Sequence, residues 1–403
     1  MQPAAGRKLM RVLVGALPLQ FAFGLVYSWG AFAPFVQRDL HWPALVVSAV
    51  FSATPVGYGT GIVVGGRLAD RVPPRRLCWV GLALLAVGLG VALTFPSGPA
   101  FIFFYSMLGL GLGGGIGLAG SIAASRHAMP ERPGTAGGLV TGAYAVAAPI
   151  QVPMVSVLAG SIGWLPTLRG LGAVMLVIAA VTLSAMPPIP RPPQPQVDGR
   201  RHASLVSLLR RPRLYTAILL EITGTPLGAY AFVTASGYAR GLQMAAVVAT
   251  AAITAVAVGN ALGRVAGGGL SDRVGVNRVM LAMLVLDLAA ATVLFAHPGD
   301  AAVIVGALLA GIGFGGPAGV ISRLATDAAP DAPNSAFGLI FTGFAAGAGS
   351  GPLLGTALGA TAAWPALGVL ALAGLLVVGV RLRLGRPVPV LAEDQEGPDH
   401  VQR

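Results

Sequence analysis

Three charged side chains interrupt long apolar stretches of the sequence: Glu221, Arg264 and Asp287. A charge within a membrane-spanning helix is costly, so it is a functional hypothesis by default. Arg264 offers a planar guanidinium, which can hold a carboxylate through two parallel hydrogen bonds. Asn260 precedes it by four residues and would share its helix face. The pair predicts a binding site for an organic carboxylate, with snorkelling of Arg264 to the membrane surface, or a salt bridge, as the alternative.

The two acids have different expected roles. Glu221 lies about eight residues into its apolar stretch, at a depth similar to that of Arg264 on the next stretch. We expect Glu221 to pair with Arg264 in the empty state, or to take a proton when substrate arrives, because burial favours a neutral carboxyl group. A static ion pair or a solvated acid is the alternative. Asp287 is expected to be mainly structural.

The composition points to the membrane. Of 403 residues, 10% are charged and 55% are hydrophobic, whereas a soluble domain is about 25% charged. The glycine-rich run 111–117 lies inside an apolar stretch without a flanking strand, so it does not indicate a dinucleotide site. There is no Walker motif, and the five histidines lack metal-ligand spacing. We therefore expect a polytopic membrane protein without catalytic residues, cofactor or metal.

Polar breaks divide the chain into twelve segments, each long enough to span a bilayer as a helix of about 20 residues. Between the sixth and seventh lies a proline-rich and then basic stretch, which reads as a linker. The expected organisation is an N-terminal six-helix bundle (1–186), a cytoplasmic linker (187–212), a C-terminal six-helix bundle (213–385) and an acidic tail (386–403). The segments are 11–36, 44–66, 76–95, 100–124, 135–160, 166–186, 213–238, 244–269, 277–297, 301–325, 335–359 and 362–381.

The basic residues orient these segments. With the N-terminus in the cytoplasm, only Arg38, Arg169 and Arg240 of the 26 lysines and arginines face outside, Arg264 lies within a span, and the other 22 face the cytoplasm. This distribution follows the positive-inside rule and puts both termini in the cytoplasm. It also accounts for the net charge of +12 without a nucleic-acid partner.

The two halves repeat each other. Residues 65–76 (GGRLADRVPPRR) reappear as residues 267–278 (GGGLSDRVGVNR), and further matches continue at nearly the same offset. In this repeat Ile62 corresponds to Arg264, so the buried cation occurs in one half only. A cation required by the fold itself would be expected in both halves. Duplicated six-helix units are typical of transporters whose binding site lies at the midplane between the halves.

The repeated loop, GRLADR in one half and GGLSDRVG in the other, resembles the loop motif of the major facilitator superfamily. The resemblance covers the whole chain and implies twelve transmembrane helices in two pseudosymmetric bundles. It also implies that Asp70 and Arg71, with Asp272 and Arg273 in the second half, belong to a charge network that holds one conformation closed. Simple capping of the adjoining helices is the alternative role of these aspartates.

Within that superfamily, two segments resemble the oxalate/formate antiporter and monocarboxylate transporter group: GLVYSWGAF (24–32) and NALGRVAGGGLSDRVG (260–275). The resemblance implies that Arg264 binds the substrate carboxylate. Dicarboxylate-handling relatives carry a lysine where this chain has Phe344, so a single buried cation favours a monocarboxylate. Animal monocarboxylate transporters carry an acid at the position of Asn260, which leaves Glu221 as the candidate proton site.

Aromatic side chains are the candidate walls of the site, and buried tyrosines rank first because a buried hydroxyl needs a partner. With Arg264 and Asn260, the predicted substrate contacts are Tyr27, Tyr58, Tyr144, Phe341 and Phe344. Further candidates are Trp29, Phe32 and Tyr230.

The sequence thus predicts an inner-membrane transporter, expected to be a monomer, that carries a lactate- or pyruvate-like anion with a proton. An anion-exchange antiporter, a multidrug exporter of the same fold and a non-transporting receptor are the alternatives. Exchange would need the arginine but no proton, and export of drugs would survive loss of the arginine. A receptor would bind substrate without moving it.

Overall fold

The computed structural model describes residues 3–189, 205–296 and 299–384, and no strand occurs among them. Twelve long helical segments fill these ranges, and a short helix, Leu205–Leu209, precedes the seventh. In chain order the segments are α1 (Pro3–Phe23, a 3-10 turn Gly24–Ser28, then Trp29–Leu40), α2 (Ala44–Ala69), α3 (Pro74–Thr94), α4 (Gly98–Ala100, a π-helical stretch Phe101–Gly113, then Gly114–Ala128), α5 (Pro133–Ile162), α6 (Trp164–Ala185), α7 (Pro212–Gly224 and Pro226–Gly241), α8 (Ala246–Val274), α9 (Val276–Ala296), α10 (Asp300–Ala328), α11 (Pro333–Leu358) and α12 (Ala360–Leu384).

Local sequence explains where these helices begin and end. Lipid offers the backbone no hydrogen-bond partners, so a spanning segment must satisfy its own amides as a helix. The helices α3, α5, α7 and α11 begin with proline, whose fixed φ and missing N–H suit the first turn. Gly275 ends α8 with a φ of 88°, a left-handed conformation that glycine adopts without strain.

The outer surface is suited to lipid. Among the described residues, ten helices are long and apolar enough to cross a membrane, and the other two long helices, α2 and α11, have 26 residues each. Large apolar side chains point outward, such as Val181 at 65% and Leu376 at 74% exposure. The predicted all-α membrane fold is confirmed, with helix ends that differ from the predicted segments by several residues.

The helices are grouped into an N-half (α1–α6) and a C-half (α7–α12). The halves meet where α5 packs against α8 and α10 and where α2 packs against α11. We call the end of the molecule that carries the loops 70–73, 129–132 and 329–332 the loop-motif end. Residues 190–204 of the predicted linker and the predicted tail 386–403 lie outside the described residues.

The contact between α5 and α8 is a close approach of two backbones. A Cβ atom built on Gly138 would lie 2.5 Å from the carbonyl oxygen of Arg264, and one built on Gly268 would lie 2.8 Å from the Cα of Gly138. Both are shorter than normal carbon contacts, so only glycine fits at these positions. The close approach places the helix that carries Arg264 directly against the N-half.

Helix α7 consists of two pieces that join at Thr225. We call Pro212–Gly224 the lower piece and Pro226–Gly241 the upper piece. Pro226 begins the upper piece, and because proline lacks an amide hydrogen and crowds the preceding turn, it interrupts the helix. Glu221 lies on the lower piece, while Phe232 lies on the upper one.

Candidate substrate site and the contacts between the halves

Arg264 is buried at the boundary between the two halves, with 4% of the residue exposed. Its Nε donates a hydrogen bond to Asn260 Oδ1 at 3.0 Å, and its Cζ lies 5.8 Å from the centre of the Phe344 ring. Within the described part of the chain, no other hydrogen bond or ion pair engages the guanidinium. Asn260 therefore orients the guanidinium group through its Nε, and the two Nη groups can bind a ligand.

Three tyrosines of the N-half lie opposite this arginine. The rings of Tyr27 and Tyr144 are 5.3 Å apart, and those of Tyr58 and Tyr144 are 5.6 Å apart. The charge of Arg264 acts on all three hydroxyl groups. None of these hydroxyls makes a hydrogen bond to another described residue. The structure thus brings the predicted cation of one half and the predicted tyrosines of the other into one site.

Phenylalanines of the C-half form the remaining walls of this site. Phe341 lies 5.8 Å from Tyr58 and 5.2 Å from Phe344, measured between ring centres. Phe314 on α10 packs 5.3 Å from Phe344, and Phe232 on α7 lies 6.0 Å from Tyr27. Sequence reasoning identified Phe341 and Phe344 but missed Phe232 and Phe314.

The site lies well away from the loop-motif end, at a depth that the helix positions of its residues give. Arg264 is ten residues from the end of α8 at Val274, and Tyr144 is eleven residues from the start of α5. At a rise of 1.5 Å per residue, both side chains lie about 15 Å from the loop-motif end. This depth is about half of a hydrocarbon core of about 30 Å.

Glu221 is completely buried on α7, but it does not pair with Arg264. Both carboxyl oxygens lack a hydrogen-bond partner among the described residues, although the charge of Arg264 acts on the group. The expected ion pair is therefore wrong for this conformation. The reason is that Arg264 extends towards Asn260 and Phe344.

Other candidates lie elsewhere. Trp29 packs against Phe101, with its Nε1 bonded to Val47 O at 2.9 Å, and Phe32 is fully buried. Tyr230 packs on Trp364 with ring centres 4.8 Å apart. We therefore exclude Trp29 and Tyr230 from the site walls. Among the described residues, no cluster of histidine, cysteine and acidic side chains could hold a metal ion.

The loop-motif aspartate of the N-half binds the start of a C-half helix. Asp70 Oδ1 accepts a hydrogen bond from Asn334 Nδ2 at 2.9 Å, and Oδ2 accepts from Ser335 N at 3.1 Å and from the Ser335 hydroxyl. Both partners lie in the first turn of α11. A carboxylate at a helix N-terminus satisfies free amides and interacts favourably with the helix dipole.

The second copy of the motif makes the reciprocal contact. Asp272 Oδ1 accepts from Gly134 N at 3.0 Å, while Oδ2 accepts from the amide and the hydroxyl of Thr135, each at 2.7 Å. These partners lie in the first turn of α5, in the N-half. Each half therefore caps a helix of the other, and the loop-motif end is closed.

The cations of this network differ from the predicted ones. Arg71 and Arg273 are exposed and make no hydrogen bond or ion pair with any described residue. Arg126 is buried instead, and it donates to Ser322 Oγ at 2.7 Å and to Asn334 Oδ1 at 3.1 Å. Arg323, its counterpart in the repeat, lies 3.6 Å from Asp272. The expectation for the two loop arginines is wrong because their side chains leave the interface for solvent.

Replacing both Asp70 and Asp272 with alanine should loosen the loop-motif end. Each carboxylate caps a helix across the interface, and loss of a cap costs about 1 kcal/mol, so the closed state should weaken by about 2 kcal/mol. Hydrogen exchange measured by mass spectrometry should be faster at the starts of α5 and α11.

The matched control is Asp327→Asn, which removes the ion-pair partner of Arg323 within α10 and no contact between the two aspartate caps and their helices. It should leave exchange at the starts of α5 and α11 unchanged. Equal exchange in the double alanine variant and the parent protein would contradict a role for the two caps.

Comparison with known families decides the class of the protein. A family model described as the Major Facilitator Superfamily matches residues 16–255 and 222–401. The chain belongs to the Major Facilitator Superfamily. The membership that the repeated loop predicted is confirmed, and the chain is a multi-pass membrane transporter of this superfamily.

Three known transporters are similar to this superfamily member in sequence. It is 26% identical over 320 residues to the uncharacterized MFS-type transporter YhjX of Escherichia coli, which covers 78% of this chain and 79% of the relative. It is 24% identical to the oxalate:formate antiporter of Oxalobacter formigenes, over 38% of this chain and 36% of the relative. It is 27% identical to the probable sulfoacetate transporter SauU of Cupriavidus necator, over 42% of this chain and 40% of the relative.

Solved structures share the fold. The superfamily transporter FucP in the outward conformation has a TM-score of 0.70 and 15% identity, with 94% of this chain and 99% of the other covered. The proton:xylose symporter XylE also has a TM-score of 0.70, with 13% identity and coverage of 94% and 96%. At these identities the likeness shows the twelve-helix fold of the superfamily alone.

Proposed function

We propose that this chain is a secondary active transporter of a small monocarboxylate, similar to lactate or pyruvate, that works by rocking of its two halves. The observation that carries the proposal is that the two Nη groups of Arg264 make no hydrogen bond to any described residue, in a site lined by both halves. A substrate held there contacts α1, α2 and α5 on one side and α8 and α11 on the other. A site shared by two halves that move relative to each other is what alternating access requires.

The site chemistry supports a monoanion with one further oxygen. The Nη groups of Arg264 suit the two oxygens of a carboxylate. The hydroxyls of Tyr27, Tyr58 and Tyr144 suit a neighbouring keto or hydroxyl oxygen. Phe341 and Phe344 offer an apolar surface for a short carbon chain. With one cation in the site, a second carboxylate would lie buried without a partner, which is costly.

Glu221 is the proposed proton carrier. A carboxylate buried without hydrogen-bond donors is unfavourable, and binding a proton removes that cost. Substrate anion and proton together would cross without net charge. The electrostatic interaction between Glu221 and Arg264 gives a direct way for substrate at the arginine to influence proton binding at the acid.

The proposed setting is the inner membrane, with both termini in the cytoplasm and the chain acting as a monomer. Arginines such as Arg71, Arg76 and Arg132 lie at the loop-motif end, and cytoplasmic loops are rich in lysine and arginine. The loop-motif end would then be cytoplasmic, and the closed interface described above would face the cell interior.

Uptake of labelled lactate into liposomes tests the proposal directly. A pH gradient, acid outside, should accelerate uptake by the parent protein, and Glu221→Gln should abolish that acceleration because glutamine cannot bind the proton. Asp287→Asn is the matched control, since it neutralises the other buried acid in the described helices and should keep the gradient response. Uptake by the parent protein that is indifferent to pH would refute symport.

An anion exchanger is the second candidate, and the relative named as an oxalate:formate antiporter favours it. Exchange would need Arg264 but no proton. In liposomes preloaded with unlabelled lactate, Glu221→Gln would then exchange label at the parent rate. A multidrug exporter would keep its activity when Arg264 is replaced.

A further inference from the structure

A cavity lies at the loop-motif end, away from the candidate substrate site. It has a volume of about 330 Å³, which is within the range of small-molecule sites, and it opens between the start of α3 and the residues that follow α6. Its walls are Pro73, Arg75, Arg76, Trp79, Pro188 and Ile189.

The cavity combines positive charge with apolar walls. Arg75 is held at one point, where its Nη2 donates to Ser184 O at 3.0 Å, and its buried Nε has no partner among the described residues. Arg76 is exposed. Both arginines lie in the first turn of α3, where the helix dipole also favours an anion. Asp70, the acid nearest in sequence, is already bound to Asn334 and Ser335.

At the corresponding position in the C-half, the side chain of Arg381 on α12 occupies the space. Asn277 stands where the repeat has Arg75, and its Oδ1 accepts from Arg381 Nε at 3.1 Å. Arg381 also donates to Arg213 O and to Thr216 Oγ1, at 2.9 and 3.0 Å. One cation from α12 therefore ties three helix ends together. In the N-half, the last turn of α6 carries no basic residue, and the arginines of α3 face an open cavity.

The lipid bilayer is the source of ligand that fits this position. Val80, next to Trp79, is 45% exposed on the outer face of α3, and Val181 is 65% exposed on α6, so the cavity opens beside lipid-facing surface. Tryptophan at a helix end is typical of the membrane–water interface. Basic pockets between membrane helices bind anionic lipid head groups.

From these contacts we propose that this cavity binds the phosphate of an anionic phospholipid. The guanidinium groups of Arg75 and Arg76, which line the cavity, donate to the phosphate oxygens. Trp79, Pro188 and Ile189 contact the glycerol and the first carbons of the acyl chains. The lipid takes the place in the N-half that Arg381 takes in the C-half, and it joins the start of α3 to the end of α6.

Native mass spectrometry of the full chain in neutral detergent tests the proposal with phosphatidylglycerol as the probe. The parent protein should bind it in preference to phosphatidylcholine. Each arginine near the membrane surface contributes a factor of about five to anionic lipid binding. Arg76→Gln should therefore weaken binding about fivefold, and the double variant with Arg75→Gln about 30-fold.

Arg278→Gln is the matched control, because Arg278 is the repeat counterpart of Arg76 and lies outside the cavity. It should bind phosphatidylglycerol as the parent does. Brominated phosphatidylglycerol should quench a fluorescence component that Trp79→Phe removes, which also covers the case in which the Arg75 variant is unstable. Unchanged lipid binding in Arg76→Gln, or equal loss in Arg278→Gln, would overturn the proposal. So would equally strong binding of soluble glycerol 3-phosphate, which would identify a water-borne phosphate as the ligand.

Discussion

Replacing Arg264 with alanine should lower lactate uptake about 100-fold or more. The substrate carboxylate would then enter a buried site without its only cation, and loss of one partner of a buried charged pair costs about 3 kcal/mol or more. Uptake into liposomes at several lactate concentrations is the measurement. Arg264→Lys should retain part of the activity, since it keeps the charge but loses the fork that Asn260 orients.

Arg278→Gln is the control for a general effect of losing an arginine. Its side chain is exposed, and its one hydrogen bond to a described residue is to Val274 O at the end of α8, so uptake should remain at the parent level. The melting temperature of each purified variant shows whether it is folded. Normal uptake by a folded Arg264→Ala variant would remove the basis of the carboxylate site.

Replacing Gly138 with valine should open the loop-motif end. The new Cβ would be forced against Arg264 O, so α5 and α8 could no longer approach. Overpacking of this kind costs about 1–3 kcal/mol, which corresponds to a rise of about 5-fold to about 160-fold in the population of separated halves. A cysteine at Ser271, which lies between these helices at 1% exposure, should react with a maleimide about ten times faster.

Two features of the chain make this measurement clean. Cys78 is its one cysteine, and it is fully buried, so background labelling is low. Gly160 lies on the same helix as Gly138, but a Cβ built there meets no atom within 4 Å. Gly160→Val should therefore leave labelling at position 271 unchanged. Slow labelling in Gly138→Val would show that the close approach does not hold the halves together.

Much of the site could be predicted from the sequence, because the repeat makes asymmetry visible. Arg264 stands out as a buried cation whose repeat counterpart, Ile62, is apolar. The i, i+4 spacing of Asn260 and Arg264 appears in the structure as a hydrogen bond. Twelve apolar segments and a duplicated loop were sufficient to predict the fold.

The remaining features depend on tertiary packing. Phe314 stands where the other half has Leu112 in the glycine-rich repeat, and this asymmetry could have identified it. No feature of the sequence distinguishes Phe232 in this way, because its place in the site depends on the direction of the upper piece of α7. The absence of a Glu221–Arg264 pair depends on side-chain direction, which depth along two helices does not fix.

Exposure of the loop arginines was also beyond the sequence pattern. Arg71 and Arg126 are both cations near the loop-motif end, and the contacts of Arg126 with Ser322 of α10 and Asn334 of α11 make it the buried one. Residues that bond across the two halves are separated by 137 to 265 positions in the chain, so no local spacing rule connects them.

The interruption of α7 at Thr225 is a point at which its two pieces can bend relative to each other, because Pro226 removes a helical hydrogen bond there. Phe232 on the upper piece touches Tyr27 of the other half, with ring centres 6.0 Å apart, while Glu221 stays packed on the lower piece. Movement of the upper piece alone would separate Phe232 from Tyr27 and admit a molecule the size of lactate. The hydrogen bonds of Asp70 and Asp272 at the loop-motif end would stay intact. Opening on the α7 side would then need only a bend within one helix, whereas opening at the loop-motif end would need a rotation of the two halves relative to each other.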